Sequence, residues 1–64
     1  MMHPYVTRIA AEMAEAQQYR PGQAERIICE RTAWRLQQIV DGIAPNDQTS
    51  EPPAWFLAQF RSAA

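Results

Sequence analysis

Sixty-four residues with seven acids, six bases and a formal net charge of −1 make one domain at most. Such a chain buries only about 60% of its unfolded surface and has no global field to hold nucleic acid or an anionic membrane. The single cysteine, Cys29, excludes an internal disulfide, and with the single histidine, His3, it excludes a Cys/His zinc site unless other chains contribute ligands. Oligomerisation or a bound partner remains as the usual staple for a domain this small.

No run approaches the roughly 18 apolar residues of a membrane span, and the amino terminus lacks a basic start followed by an apolar block. The expectation is a cytoplasmic protein with no membrane partner. All six bases are arginine, which together with the alanine content reads as the imprint of a GC-rich genome rather than of function.

Residues 4–19, "PYVTRIAAEMAEAQQY", open with proline at a first-turn position and continue through strong helix formers. At about 100° per residue, Val6, Ile9, Ala10, Met13 and Ala16 share one side, and Arg8, Glu12, Glu15 and Gln18 the other. Alanine supplies two of those apolar contacts, so another helix can approach closely. "RPG" at 20–22 stops the helix, because the residue before proline leaves the helical region and glycine permits a tight turn.

Residues 23–41, "QAERIICERTAWRLQQIVD", form the longest predicted helix, with Gly42 at the C-terminal capping place. Its main stripe is read as Ile28, Thr32, Leu36, Ile39, Val40 and, beyond the last turn, Ile43. Ile27 and Trp34 lie on a different side, roughly 120–160° away by helical geometry. The first helix cannot cover both sides.

"APNDQTSEP" at 44–52 is a loop of turn formers. Glu51 and Pro52 both precede prolines and are expected to be extended, so a third helix starts near 53 and runs to about 61. Phe56, Leu57 and Phe60 share one side of it, with Trp55 on the flank. Two readings of this cluster stay open: a lid over the Ile27 and Trp34 side of the second helix or in the groove between the first two helices, or a surface shared with another chain, where Trp and Phe are common anchors. The expected fold is all-α: an αα-hairpin plus a short C-terminal third helix, in one domain of residues 1–64, able to assemble into a dimeric helical bundle.

Groups for catalysis are few. Cys29 has no histidine near it in sequence and reads as an inert thiol. Glu12 with Glu15, and Glu25 with Glu30, read as solvated carboxylates, because acid and base work needs a cleft that shifts pKa values. Both glycines lie at helix ends, so there is no phosphate loop. "MMH" matches a third-position histidine pattern for copper or nickel, but over three residues, and His3 is read as a frayed, solvated end. No metal, cofactor or catalytic residue is expected.

Two binding classes remain. The first is a non-enzymatic protein–protein interaction module: an adaptor, subunit or inhibitor, of a kind that phages and mobile elements encode. It would use Ile27, Trp34, Trp55, Phe56 and Phe60, rimmed by Arg31, Arg35 and Arg61, with another protein or a second copy of the chain as partner. The second is a helix-turn-helix-like regulator presenting Arg26, Arg31 and Arg35 to nucleic acid. It is weakened by Glu25, Glu30 and Asp41 on the same helix and by a proline in the turn.

Overall fold

Pro4 enters helical geometry at φ −58°, and helix α1 follows as Tyr5–Ala16. In this computed structural model the description covers residues 2–62, the last of them by its backbone. His3 does more than fray: its Nδ1 accepts the Tyr5 N–H at 3.0 Å, occupying one of the orphan donors of the first turn. At the other end the N–H groups of Gln17, Gln18 and Tyr19 turn back to the carbonyls of Ala14, Glu15 and Ala16 at 3.0–3.2 Å. The expected stretch to residue 19 therefore ends as a tightened turn rather than as α-helix.

The reversal is closed by the Gln23 N–H on the Arg20 carbonyl at 3.0 Å, with Gly22 at φ +95°. That left-handed conformation is the one glycine adopts without steric strain. Helix α2 then runs Ala24–Val40. It closes in a two-bond reversal: the Gly42 N–H reaches the Ile39 carbonyl and the Ile43 N–H the Gln38 carbonyl, both at 3.0 Å, with Gly42 at φ +76°. A single 3₁₀ turn, Pro45–Asp47, interrupts the connector before helix α3, Ala54–Ser62. No strand occurs among the described residues.

The αα-hairpin of α1 and α2 and the short third helix match the sequence expectation; the side of α2 that meets α1 does not. Ile28 is 64% exposed and Ile39 37% exposed. The buried positions are Arg26, Cys29, Ala33, Trp34, Leu36 and Gln38. Cys29 and Ala33 are small and lie against a core that includes Ile9 and Ala16 of α1, with Met13, Tyr5 and Val40 partly buried beside it. Small side chains on both helices permit close approach, and close approach rather than side-chain hydrophobicity selects the contact face. Ala10, expected in that contact, faces outward.

Two buried polar side chains hold the hairpin and its connector. The Arg26 guanidinium donates from Nη1 to the carbonyls of Ala16, at 3.4 Å, and Tyr19, at 3.2 Å. Its Nε meets Glu30 at 3.2 Å. Arg26 thus ties the start of α2 to the carboxyl end of α1, and a cation suits the dipole at that carboxyl end. Gln38 pairs reciprocally with Thr49: its Oε1 accepts the Thr49 N–H at 2.8 Å, and its Nε2 donates to the Thr49 carbonyl at 3.0 Å. Trp34 Nε1 adds a bond to Thr49 Oγ1 at 3.1 Å.

Pinned there, the connector delivers α3 with Phe56 and Phe60 fully buried. The Gln17 side-chain amide donates to the Phe60 carbonyl at 2.7 Å and fixes the far end of α3 to the end of α1. Burying each phenylalanine contributes about 1.5–3 kcal/mol. For a domain this size that is a substantial share of the total.

Candidate interaction surface and groove

On the second side of α2, Trp34 is covered from within the chain. Trp34 contacts Phe56 with ring centroids 5.1 Å apart and Trp55 edge-on at 5.7 Å. Phe56 continues to Phe60 at 5.6 Å. Of the proposed anchors, Trp34, Phe56 and Phe60 are therefore core residues of this chain, and Ile27 is half-buried. Burial of both rings in α3 removes them from any surface a partner meets without unfolding. Trp55 alone of the aromatic cluster stays outside, at 59% exposure.

The arginines divide similarly. Arg26 is buried and committed to Glu30 and two backbone carbonyls. That takes it out of the trio proposed to read nucleic acid. Arg31, Arg35 and Arg61 are exposed. Arg31 Nη2 donates to Glu51 Oε1, whereas the Arg35 guanidinium has no carboxylate or hydrogen-bond partner among the described residues.

Of the stripe read from sequence as the main core side of α2, Leu36 is buried and Val40 packs against the core, whereas Ile28 and Ile39 face solvent with Thr32 half-buried between them. Ile28, Thr32, Arg35 and Ile39 fall within about 60° of helical arc, and Arg31 borders them. The order along the helix is apolar, basic, apolar. Singly exposed isoleucines are ordinary, but two of them on one arc with arginines between form an amphipathic strip. Helical periodicity alone finds these residues. It missed that they remain outside.

Beside the strip lies a groove of about 370 Å³, walled by Arg31, Thr32 and Arg35 of α2 and by Gln48, Thr49 and Ser50 of the connector. Of these, Thr49 is bonded to Gln38 and Trp34. Because Thr49 Oγ1 accepts from the Trp34 indole, its own hydroxyl proton is left for a further acceptor. Sequence reading did not find this groove, because nothing in the spacing announces that a glutamine and a threonine eleven residues apart will pair.

A second pocket, about 290 Å³, lies between α1 and α2 and is lined by Glu12, Glu15, Tyr19, Glu25, Ile28 and Cys29. One ligand atom from each of Glu12, Glu15 and Cys29 comes within 4.8 Å of the others. The Cys29 thiol donates to Glu15 Oε2 at 3.5 Å. Burial, then the Glu15 hydrogen bond and the charges of Glu12 and Glu15, push that thiol up to about 11. A proton held this firmly makes Cys29 a donor to Glu15 and suppresses the thiolate that nucleophilic or redox chemistry requires.

No helix among the described residues is long and apolar enough to cross a membrane. Scans of family models, curated proteins and solved structures return no match to this chain.

Proposed function

We propose that this protein is a small non-enzymatic interaction module that binds a segment of another protein along the outer side of α2. The observation that carries this reading is the strip itself: Ile28 and Ile39, both exposed, flank Arg31 and an unpaired Arg35. Such a strip suits a partner segment with apolar residues for the isoleucines and acidic residues for the arginines. Exposed Trp55 is a further aromatic anchor, of a type that recurs at binding hot spots.

A second copy of the chain suits the strip poorly. Residues 31 and 35 lie near the middle of the stretch 28–39, so parallel or antiparallel pairing of two α2 helices would crowd four guanidiniums at its centre. Adaptor, inhibitor and subunit roles are all compatible with such a module. Nucleic-acid binding loses Arg26 and retains Arg35 and an Arg31 that is paired with Glu51. A binding role also accords with a lone thiol held protonated and buried.

The test is a partner captured from cell extract, identified, purified and measured again with the isolated chain. Ile28→Asp and Ile39→Asp should each weaken that binary affinity at least about tenfold, as expected for an interface anchor. Helicity should be retained in both; the melting temperature should fall modestly, more for Ile39, which is 37% exposed and lies in the last turn of α2, so affinities are compared at a temperature where each variant is fully folded. An affinity indifferent to both changes, or no binary complex, rejects the reading.

A further inference from the structure

We infer that the groove between α2 and the connector is an oxyanion site whose Arg31 is engaged by Glu51 from within the chain, and that an acidic side chain of the partner displaces Glu51 from it. The inference rests on the docking reading above and names the chemistry of its polar centre.

Three observations converge on it. The first is charge. Arg31 and Arg35 stand one helical turn apart on one wall, and among the described residues a single carboxylate, Glu51, meets one of them. The groove keeps an uncompensated positive charge while Glu51 is in place, and two when it leaves.

The second is exchangeability. The Arg31 and Glu51 side chains are 52% and 73% exposed. Exposed pairs of this kind contribute little, so a competing carboxylate that also reaches Arg35 can replace the internal one. Pro52 and Pro53 follow Glu51 directly and restrict its backbone. Glu51 meets Arg31 but is not among the residues that wall the groove.

The third is the opposite wall. Thr49 and Ser50 bring hydroxyl donors to the groove. Thr49 is held by Gln38 and Trp34 through three hydrogen bonds. Two arginines and two hydroxyl residues lining one groove suit a single oxyanion, carboxylate or phosphate, and not a track for a polynucleotide.

The experiment titrates the full chain at low salt with two probes, inorganic phosphate and a short peptide carrying two glutamates between leucines. Binding is read from the Arg31 and Arg35 Nε–H and the Thr49 and Ser50 amide resonances. The expected result is saturable movement of these signals, with the peptide at least about tenfold tighter than phosphate. Arg35→Gln, at an exposed side chain, should weaken peptide binding about tenfold. Glu51→Gln should strengthen it about two- to fivefold, the range set by the loss of an exposed ion pair.

Resonances that stay still with both probes overturn the inference, as does a peptide indifferent to Arg35→Gln or weakened by Glu51→Gln. Phosphate binding tighter than the peptide, or an oligonucleotide outcompeting both at the same salt, also overturns the assignment to a partner's carboxylate. A peptide that depends on Ile28 and not on Arg35 sinks the oxyanion site while leaving the docking strip intact; the Ile28→Asp and Ile39→Asp measurements judge the strip separately.

Discussion

Cys29 shows how a single side chain takes its chemistry from packing. It is almost fully buried, and its thiol, ordinarily near 9.0, is pushed up to about 11 by burial first and by Glu15 and Glu12 next. The unfolded chain releases that proton as pH rises through about 9, while the folded chain holds it to about 11. The stabilisation is therefore fully present below the unfolded value and is lost as pH rises through the folded one. At about pH 10.5 on the order of 2 kcal/mol of it should be gone. Urea unfolding of the wild type and of Cys29→Ala at pH 8 and at about pH 10.5 checks this: the wild type should lose more stability than the variant over that interval. Equal losses would show that the thiol titrates alike in both states. From sequence, an inert thiol was readable; the carboxylates beside it were not, since Glu15 reaches it only through the crossing of α1 and α2.

At the scale of elements, the connector decides where α3 sits, and Gln38 decides where the connector sits. Its amide offers Thr49 the donor and acceptor that a neighbouring strand would offer. Replacing it by leucine keeps the size and removes both bonds. Thr49 is only partly shielded, so water recovers some of the loss, and Gln38→Leu is expected to cost about 2 kcal/mol. For a domain this small that lowers the melting temperature by roughly 10 °C. Thermal melts together with amide exchange at Thr49 measure both consequences; an unchanged melting point would mean that α3 and the prolines fix the connector unaided. The helix ends were legible to within a few residues because proline and glycine act locally. The Gln38 pairing joins two segments through one side chain and leaves no periodic trace.

For the whole molecule, Trp34, Phe56 and Phe60 of the aromatic cluster answer to the hairpin, and Trp55 stays outside. Phe56, Phe60 and Trp34 close a core that α1 and α2 leave open on one side. What remains outside is a strip whose centre is basic. Light scattering of the purified chain should accordingly give a mass near 7.3 kDa, with no rise as concentration increases at low salt, where repulsion between like charges is strongest. A stable dimer under those conditions would mean that the arginines find acidic partners on a second copy.

By itself the sequence determined three helices, their order, the turn at Pro21 and Gly22, the cap at Gly42 and the presence of more apolar surface on α2 than α1 can cover. These follow from interactions spanning a few residues, and period and punctuation record them. Only the tertiary structure decided which sides of α2 are buried. That choice turned on small side chains at Ala16, Cys29 and Ala33 allowing close approach, and on backbone acceptors that let Arg26 and Gln38 enter the interior while Ile28 and Ile39 stayed in water. Burial is settled by shape and hydrogen-bond satisfaction across the whole fold, which no one-dimensional ranking of hydrophobicity contains.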